Sequence, residues 1–279
     1  MRTTRGGQAR VMTHTESPVR QRAVVTGASS GIGRELARQL AAHDFDLVVA
    51  AEDDDIEHVA QELRGSGVAV QAVRVDLARR DGVDELWSVV EGDARPLDVA
   101  VINAGVGFGG PFAETSLDDH LRLVDLNVGH TVHLAKHVVD RMVGQGSGRI
   151  LITSSIAASA PAPYQATYGA SKSFVQSFAE GLRRELDPHG VSVTALQPGP
   201  TDTEFFVRAD MEDTKVGAGP KDDPAEVARE GFEAMMRGED HVVTGGASNS
   251  VQATVGSVVP DRLGARMQER QTKPGSAKD

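Results

Sequence analysis

The stretch Thr26-Gly27-Ala28-Ser29-Ser30-Gly31-Ile32-Gly33 decides how this chain is read. It follows a short apolar run, Ala23-Val24-Val25-Thr26. It precedes Gly31–His43, where Ile32, Leu36, Ala37 and Leu40 recur at helical spacing. Glycine permits positive φ and lets a ligand approach the backbone closely. The start of a helix presents unpaired N–H groups and a positive dipole end to an anion. A strand, a glycine turn spaced G-x-x-x-G-x-G and a helix therefore read as a pyrophosphate cradle, with Gly27, Ser29, Ser30, Gly31, Ile32 and Gly33 as the binding residues. Two other readings compete. One is a plain tight turn of an α/β protein. The other is the nucleophile elbow G-x-S-x-G of a serine hydrolase, satisfied by Gly27 to Gly31 with Ser29 as nucleophile. Only one strand precedes the turn, which leaves little chain for an upstream oxyanion loop. No downstream acid and histidine stand out as partners, so the hydrolase reading is the weaker one.

Outward from this turn the pattern alternates. Strands are expected at Leu47–Ala50, Val68–Val75, Val99–Ile102, Arg149–Thr153, Val191–Leu196 and His241–Thr244. Between them the spacing predicts helices at Asp55–Arg64, Gly82–Val90, about Leu117–Val143 and Tyr168–Leu186, with another opened by Asp223-Pro224. The strands are apolar throughout, as expected when both faces of a parallel sheet are covered. The expected fold is α/β: one doubly wound, Rossmann-type parallel sheet of six or seven strands with helices on both faces.

Composition bounds the function. The 279 residues are 39% hydrophobic and 25% charged, which fits a soluble globular protein. A net charge of −11 argues against general binding to nucleic acid or an anionic membrane. The absence of cysteine excludes disulfides, thiol nucleophiles and Cys-based metal sites. The longest apolar runs, such as Leu47 to Ala51, are too short to span a bilayer. Residues 1–22 set five arginines against Glu16. Residues 1–21 read as a flexible basic arm, without the apolar stripe of a transit peptide or the core of a secretion signal. The catalytic domain is expected over 22–260, and 261–279 as a helix end with a frayed tail. A cytoplasmic location is expected.

A second constellation carries chemistry. Tyr168-Gly169-Ala170-Ser171-Lys172 places a phenol and an amine four residues apart, on one helix face. Ser155 lies 13 residues before Tyr168, at a strand end. Asn103-Ala104-Gly105 follows the fourth strand, Asn127 lies within the long helix, and Pro198-Gly199-Pro200 follows the sixth strand. In order and spacing, over about residues 22–260, this set resembles the short-chain dehydrogenase/reductase family. Two positions depart from it. Ile102 stands where the family has a second Asn, and His130 stands where it often has Gly.

The resemblance implies an oxidoreductase that moves hydride between a nicotinamide cofactor and a secondary alcohol or ketone. Tyr168 would be the general acid/base and Ser155 would hold the substrate oxygen. Lys172 would bind the nicotinamide ribose and lower the pKa of the phenol, and Asn127 would help carry a water-linked proton route. An NAD-binding sensor of the same fold, without turnover, is the alternative. Further cofactor contacts are expected from Glu52, Asp76, Leu77, Asn103, Ala104, Gly105, Pro198, Gly199 and Thr201. Glu52 lies where an acid accepts from ribose hydroxyls and repels a 2′-phosphate. Neither Glu52 nor Ser30 is basic, so NAD is preferred to NADP. Asp53 to Asp55 read as helix-start acids.

The segment Thr201–Gly219 takes the place of a mobile substrate lid. Phe205, Phe206 and Met211 are expected to cover an apolar small-molecule substrate, with Phe108, Tyr164 and Gln165 in the same pocket. A homodimer or homotetramer is expected through the long helix and the Tyr168 helix. His130, His133 and His137 share a helix face; a polar interface or solvated stripe is expected there rather than a metal site.

Overall fold

The structure, a computed structural model, describes residues 20–246, 249–251, 253–254 and 259–278. Apart from Arg20 and Gln21, the expected basic arm lies outside the described residues. Seven strands form one sheet: β1 (Arg22–Thr26), β2 (Asp46–Ala51), β3 (Val70–Arg74), β4 (Val99–Ile102), β5 (Gly148–Thr153), β6 (Val191–Gln197) and β7 (His241–Val243). Their spatial order is β3-β2-β1-β4-β5-β6-β7 and every pairing is parallel. The chain winds one way from β1 to β3 and the other way from β4 onward. The order therefore reverses between β1 and β4, where a crevice opens at the carboxyl ends of the strands.

Successive strand residues feed opposite faces, which is why the strands are apolar throughout. Val24, Val48, Ala100 and Ile150 join one core with α3 (Arg80–Glu91) and the long helix. Ala23, Val25, Val49 and Val101 join the other with α1 (Gly31–Ala42), α2 (Asp55–Arg64) and the helix Pro224–Arg237. Leu36 and Leu40 of α1 are fully buried, each contributing on the order of 2 kcal/mol relative to exposure. Asp223 caps the Pro224–Arg237 helix by accepting from Ala225 N, and Gly238 ends it at φ 69°.

Four features differ from expectation. The long helix is not regular: α4 (Leu117–Val124) passes into a π-helical turn, Asp125–His130, and then into α5 (Thr131–Gln145). Arg22, which belonged to the basic opening, starts β1 and is buried. Its guanidinium donates to the carbonyls of Val90, Asp93 and Arg95, closing the end of α3. As far as it is described, to Lys278, the C-terminal segment is folded. The helix Asp261–Thr272 is followed by a turn, Ser276–Lys278, that docks on the lid. There Gly275 N donates to Asp213 Oδ2 at 2.7 Å, Ala277 N to Asp213 O, and Lys215 N to Ser276 Oγ.

The histidine stripe also divides. His130 turns into the core, 2% exposed, with Nδ1 3.2 Å from Leu126 O and Nε2 without a partner. Burial pushes its pKa down from 6.5 to about 4, against the opposing pull of the Leu126 carbonyl. The folded protein thus resists a proton that the unfolded chain accepts, so this contribution to stability is complete above pH 6.5 and is lost as pH falls toward 4. The acid arm of the stability curve should lose about 3 kcal/mol through this one group. Denaturant unfolding across that interval is expected to show a shallower slope in His130→Leu than in the parent.

Candidate active site

Strand ends and one helix build the site. The turn after β1 puts Gly27 at φ 65° and Gly31 at φ 53°, conformations that other residues adopt only with strain. Gly33 is required for a different reason: a Cβ there would lie 2.1 Å from Gly27 O and 2.4 Å from Asn103 Nδ2. The turn is stitched to the far side of the crevice. Thr26 Oγ1 accepts from the N–H groups of Asn103 and Ala104, Asn103 Nδ2 donates to Thr26 O, and Thr153 Oγ1 donates to Asn103 Oδ1. Ile102, in place of the family's Asn, is buried in the core and takes no part.

The resulting cleft has a volume of about 440 Å³. Every residue expected to hold the dinucleotide lines it: the glycine turn, Glu52, Asp76, Leu77, Asn103 to Gly105, Pro198, Gly199 and Thr201. Tyr168, Lys172 and Ser155 line it too, and Asn127 does not. Ser29 donates to Asp53 Oδ2 at 2.9 Å, and among the described residues no histidine lines the cleft, so the geometry a serine hydrolase would need is not there.

Tyr168 and Lys172 lie on α6 (Ala166–Leu186) and are 8% and 6% exposed. Lys172 Nζ donates to Thr153 O at 2.9 Å and lies 5.9 Å from the centre of the Tyr168 ring. Burial pushes the amine down to about 8. Burial likewise pushes the phenol up to about 12, with Ser155 pulling the other way. The expected lowering of the phenol by its lysine is not what this environment produces. Desolvation dominates, and the amine's proton is directed at a backbone carbonyl.

Asn127 occupies the π-helical turn. Its Oδ1 accepts from Val106 N at 2.9 Å and its Nδ2 donates to Val106 O and Ser171 Oγ. Its side chain thereby clamps the loop after β4 to α6. An irregular turn of this kind often marks a functional position, and no residue pattern announces it.

At the far end of the cleft Arg122, from α4, bridges two acids. Its guanidinium reaches Glu52 Oε2 at 2.5 Å and Asp76 Oδ2 at 3.0 Å. Burial opposes ionisation of Asp76, but hydrogen bonds from Arg122 and Ala78 N outweigh it and hold the carboxyl below its usual range. Asp53 also lines the cleft, and its Oδ1 is buried without a partner. Arg122 is 70 residues from Glu52, so the sequence pattern did not expose the pairing. Asp53 was hidden inside an acidic run.

The lid folds as two short turns, Phe205–Arg208 and Lys215–Ala218, around Phe206, Ala209 and Met211. Phe205 packs on Gly107, with its ring centre 5.3 Å from that of Tyr168. Phe205, Phe206 and Gln165 line the cleft as expected. Met211 is buried behind it, bonded to Gln165 Nε2, while Phe108 and Tyr164 face a separate small hollow beside His120. Gln268, Gln271 and Thr272 of the C-terminal helix complete the wall.

Known proteins share this arrangement. A sequence model described as short chain dehydrogenase matches residues 21–213. An uncharacterized oxidoreductase of Staphylococcus saprophyticus is 31% identical over 217 residues, 77% of this chain and 91% of that protein. The glycine betaine reductase of Emericella nidulans is 34% identical over 223 residues, 78% of this chain but 18% of that much longer protein. A short-chain dehydrogenase from Sphingobium yanoikuyae, solved in complex with NADPH, superposes with a TM-score of 0.77 at 32% identity, over 91% of this chain and 97% of that one. With the glycine cradle and the buried Tyr168–Lys172 pair in one crevice, these likenesses establish that the chain belongs to the short-chain dehydrogenase/reductase family.

Proposed function

We propose that this oxidoreductase interconverts a secondary alcohol and its ketone, with NAD as hydride carrier and Tyr168 as proton carrier. The observation that carries the reading is the burial of Tyr168 and Lys172 together, beside Ser155, in the cleft that the glycine turn opens. The residues fit a dinucleotide. Gly27, Gly31 and Gly33 shape a cradle that a Cβ would fill, and Asp53 Oδ1 is a buried acceptor awaiting a donor.

A nicotinamide dinucleotide held by the glycine turn, Asn103 to Gly105 and Lys172 would supply hydride-accepting chemistry in its oxidised form. Tyr168 takes the proton from the alcohol oxygen in that direction and returns it to the ketone in the other. Ser155 donates to the same oxygen and fixes it within reach of the phenol. Lys172, held by Thr153 O, binds ribose hydroxyls, and Asn127 holds the loop and α6 in register. A positive charge entering the cleft favours the phenolate, which burial alone disfavours. Phe205, Phe206, Val216 and Ile156 make the substrate end apolar, which suits a small apolar alcohol or ketone.

NAD is favoured over NADP by charge. Glu52, Asp53 and Asp76 surround the adenosine end, and Arg122 is already engaged by two of them. A 2′-phosphate would meet net negative charge, whereas the orphaned Asp53 oxygen suits a ribose hydroxyl. On the other side, several similar solved structures, the Sphingobium enzyme among them, hold NADPH or NADP. Assembly through α4, α5 and α6 is supported by exposed Leu117, Leu121, Val132 and Phe174 on those helices. No helix among the described residues is long and apolar enough to cross a membrane.

Tyr168→Phe should lower kcat on the best substrate of an alcohol and ketone panel by about 10²-fold or more while leaving the cofactor Kd within about threefold. Full activity in that variant would remove Tyr168 from the mechanism, and a parent that binds cofactor yet turns over nothing would favour a sensor. NAD is expected to bind at least about tenfold more tightly than NADP, a gap narrowed in Glu52→Gln and Asp53→Asn. Tighter NADP binding by the parent would overturn the charge argument. In sedimentation the parent should run as a dimer or tetramer and Leu121→Glu/Phe174→Glu as a smaller species.

A further inference from the structure

Apart from the residues that line the cleft, His133 and His137 stand one turn apart on α5, beside Asp84 of α3. Three ligand atoms, one from each side chain, lie within 4.8 Å of one another. Asp84 Oδ1 is 3.0 Å from His133 Nε2 and 3.5 Å from His137 Nε2. Two atoms that each bind one zinc ion at about 2.0 Å, at a tetrahedral angle, are about 3.3 Å apart. The two distances from Asp84 Oδ1 bracket that value.

Two further observations separate this cluster from an ordinary surface ion pair. His137 Nε2 is shielded from solvent and has no hydrogen-bond partner. Its ring is fixed by stacking on Trp87, centroids 5.1 Å apart and 12° from parallel. The stacking limits rotation of the ring and so holds Nε2 in place. A single His–Asp pair would use one imidazole; here a second is held against the same carboxylate oxygen and left unsatisfied. His130 takes no part, because it faces the core. Lys136, between the two histidines in sequence, pairs with Asp140 instead.

We propose that Asp84, His133 and His137 form a site for a borderline divalent cation of the zinc class, bound by two imidazole nitrogens and one carboxylate oxygen. Nitrogen and oxygen ligands in this number suit Zn²⁺, Co²⁺, Ni²⁺ or Cu²⁺ and disfavour Mg²⁺ and Ca²⁺, which prefer oxygen alone. With three protein ligands the fourth position is open to water. The ion would staple α3 to α5, two helices that cover the same face of the sheet, and so act on stability rather than on the chemistry in the cleft.

The test uses the full chain without an affinity tag, stripped with chelator and titrated with ZnCl₂ by calorimetry and with CoCl₂ by visible absorption. One equivalent is expected to bind with a Kd in the micromolar range or tighter, with the d–d bands of low-coordinate Co²⁺ and a rise in Tm. Asp84→Asn and His137→Ala should each weaken binding at least about tenfold and abolish the Tm shift, whereas His189→Ala should leave both unchanged. Asp84→Asn is nearly isosteric, so it keeps the test valid if a histidine variant folds poorly. Absence of zinc binding at millimolar concentration would overturn the proposal, and so would binding that Asp84→Asn and His137→Ala leave intact.

Discussion

Two ionisable groups of opposite kind are held out of water in one cleft, and the rest of the site is arranged around that fact. Burial drives the Tyr168 phenol up to about 12 and the Lys172 amine down to about 8. Both therefore lean toward their neutral forms, the state in which a buried pair is least costly. At neutral pH the phenol therefore rests protonated and the amine mostly cationic, and on the proposed reading a charge that enters with a ligand would shift the phenol. If Tyr168 is the general acid/base proposed above, that arrangement would serve both directions, because a cationic ring would draw the phenol toward phenolate and a neutral one would leave it protonated.

The fold explains why such a cleft exists here. Strand order reverses between β1 and β4, so the loops after these strands part and leave a crevice. Thr26, Asn103 and Thr153 span its floor with hydrogen bonds, fixing the glycine turn relative to β5 and to the carbonyl that receives Lys172. Asn127, displaced by a π-helical turn, ties the loop after β4 to α6. The roof is held from an unexpected direction. The C-terminal turn bonds Asp213 and Lys215 of the lid, and the helix before it contributes Gln268 and Gln271 to the wall. Segments about 60 residues apart in sequence thus meet at the rim of the cleft.

The parallel sheet was legible in the sequence because its signals are local: apolar runs of strand length, each followed by helical spacing, with a glycine turn at the first crossover. Tyr168, Lys172 and Ser155 were legible because their spacing is fixed by one helix and one strand end. What was not legible depends on long-range placement. The ion pair of Arg122 with Glu52 and Asp76 joins residues from three elements, and the free oxygen of Asp53 follows from which way a short turn faces. The pKa of Tyr168 ran opposite to expectation because adjacency on a helix reports distance, while desolvation depends on everything packed around the pair. The tail was polar enough to look frayed, yet its backbone groups find partners on the lid. The histidine stripe divided because His130 is packed into the core, while His133 and His137 stay half-buried beside Asp84 of α3.

The chain has two tyrosines, Tyr164 and Tyr168, so a Tyr164→Phe background leaves Tyr168 as the only phenol. Titrating its ultraviolet phenolate absorbance without cofactor, then with the oxidised and the reduced dinucleotide, measures the central quantity directly. The account predicts an apparent pKa near 12 without cofactor, a fall of at least one unit with the oxidised form and a much smaller change with the reduced form. A titration that no cofactor moves, or one that already lies near neutrality without cofactor, would contradict it.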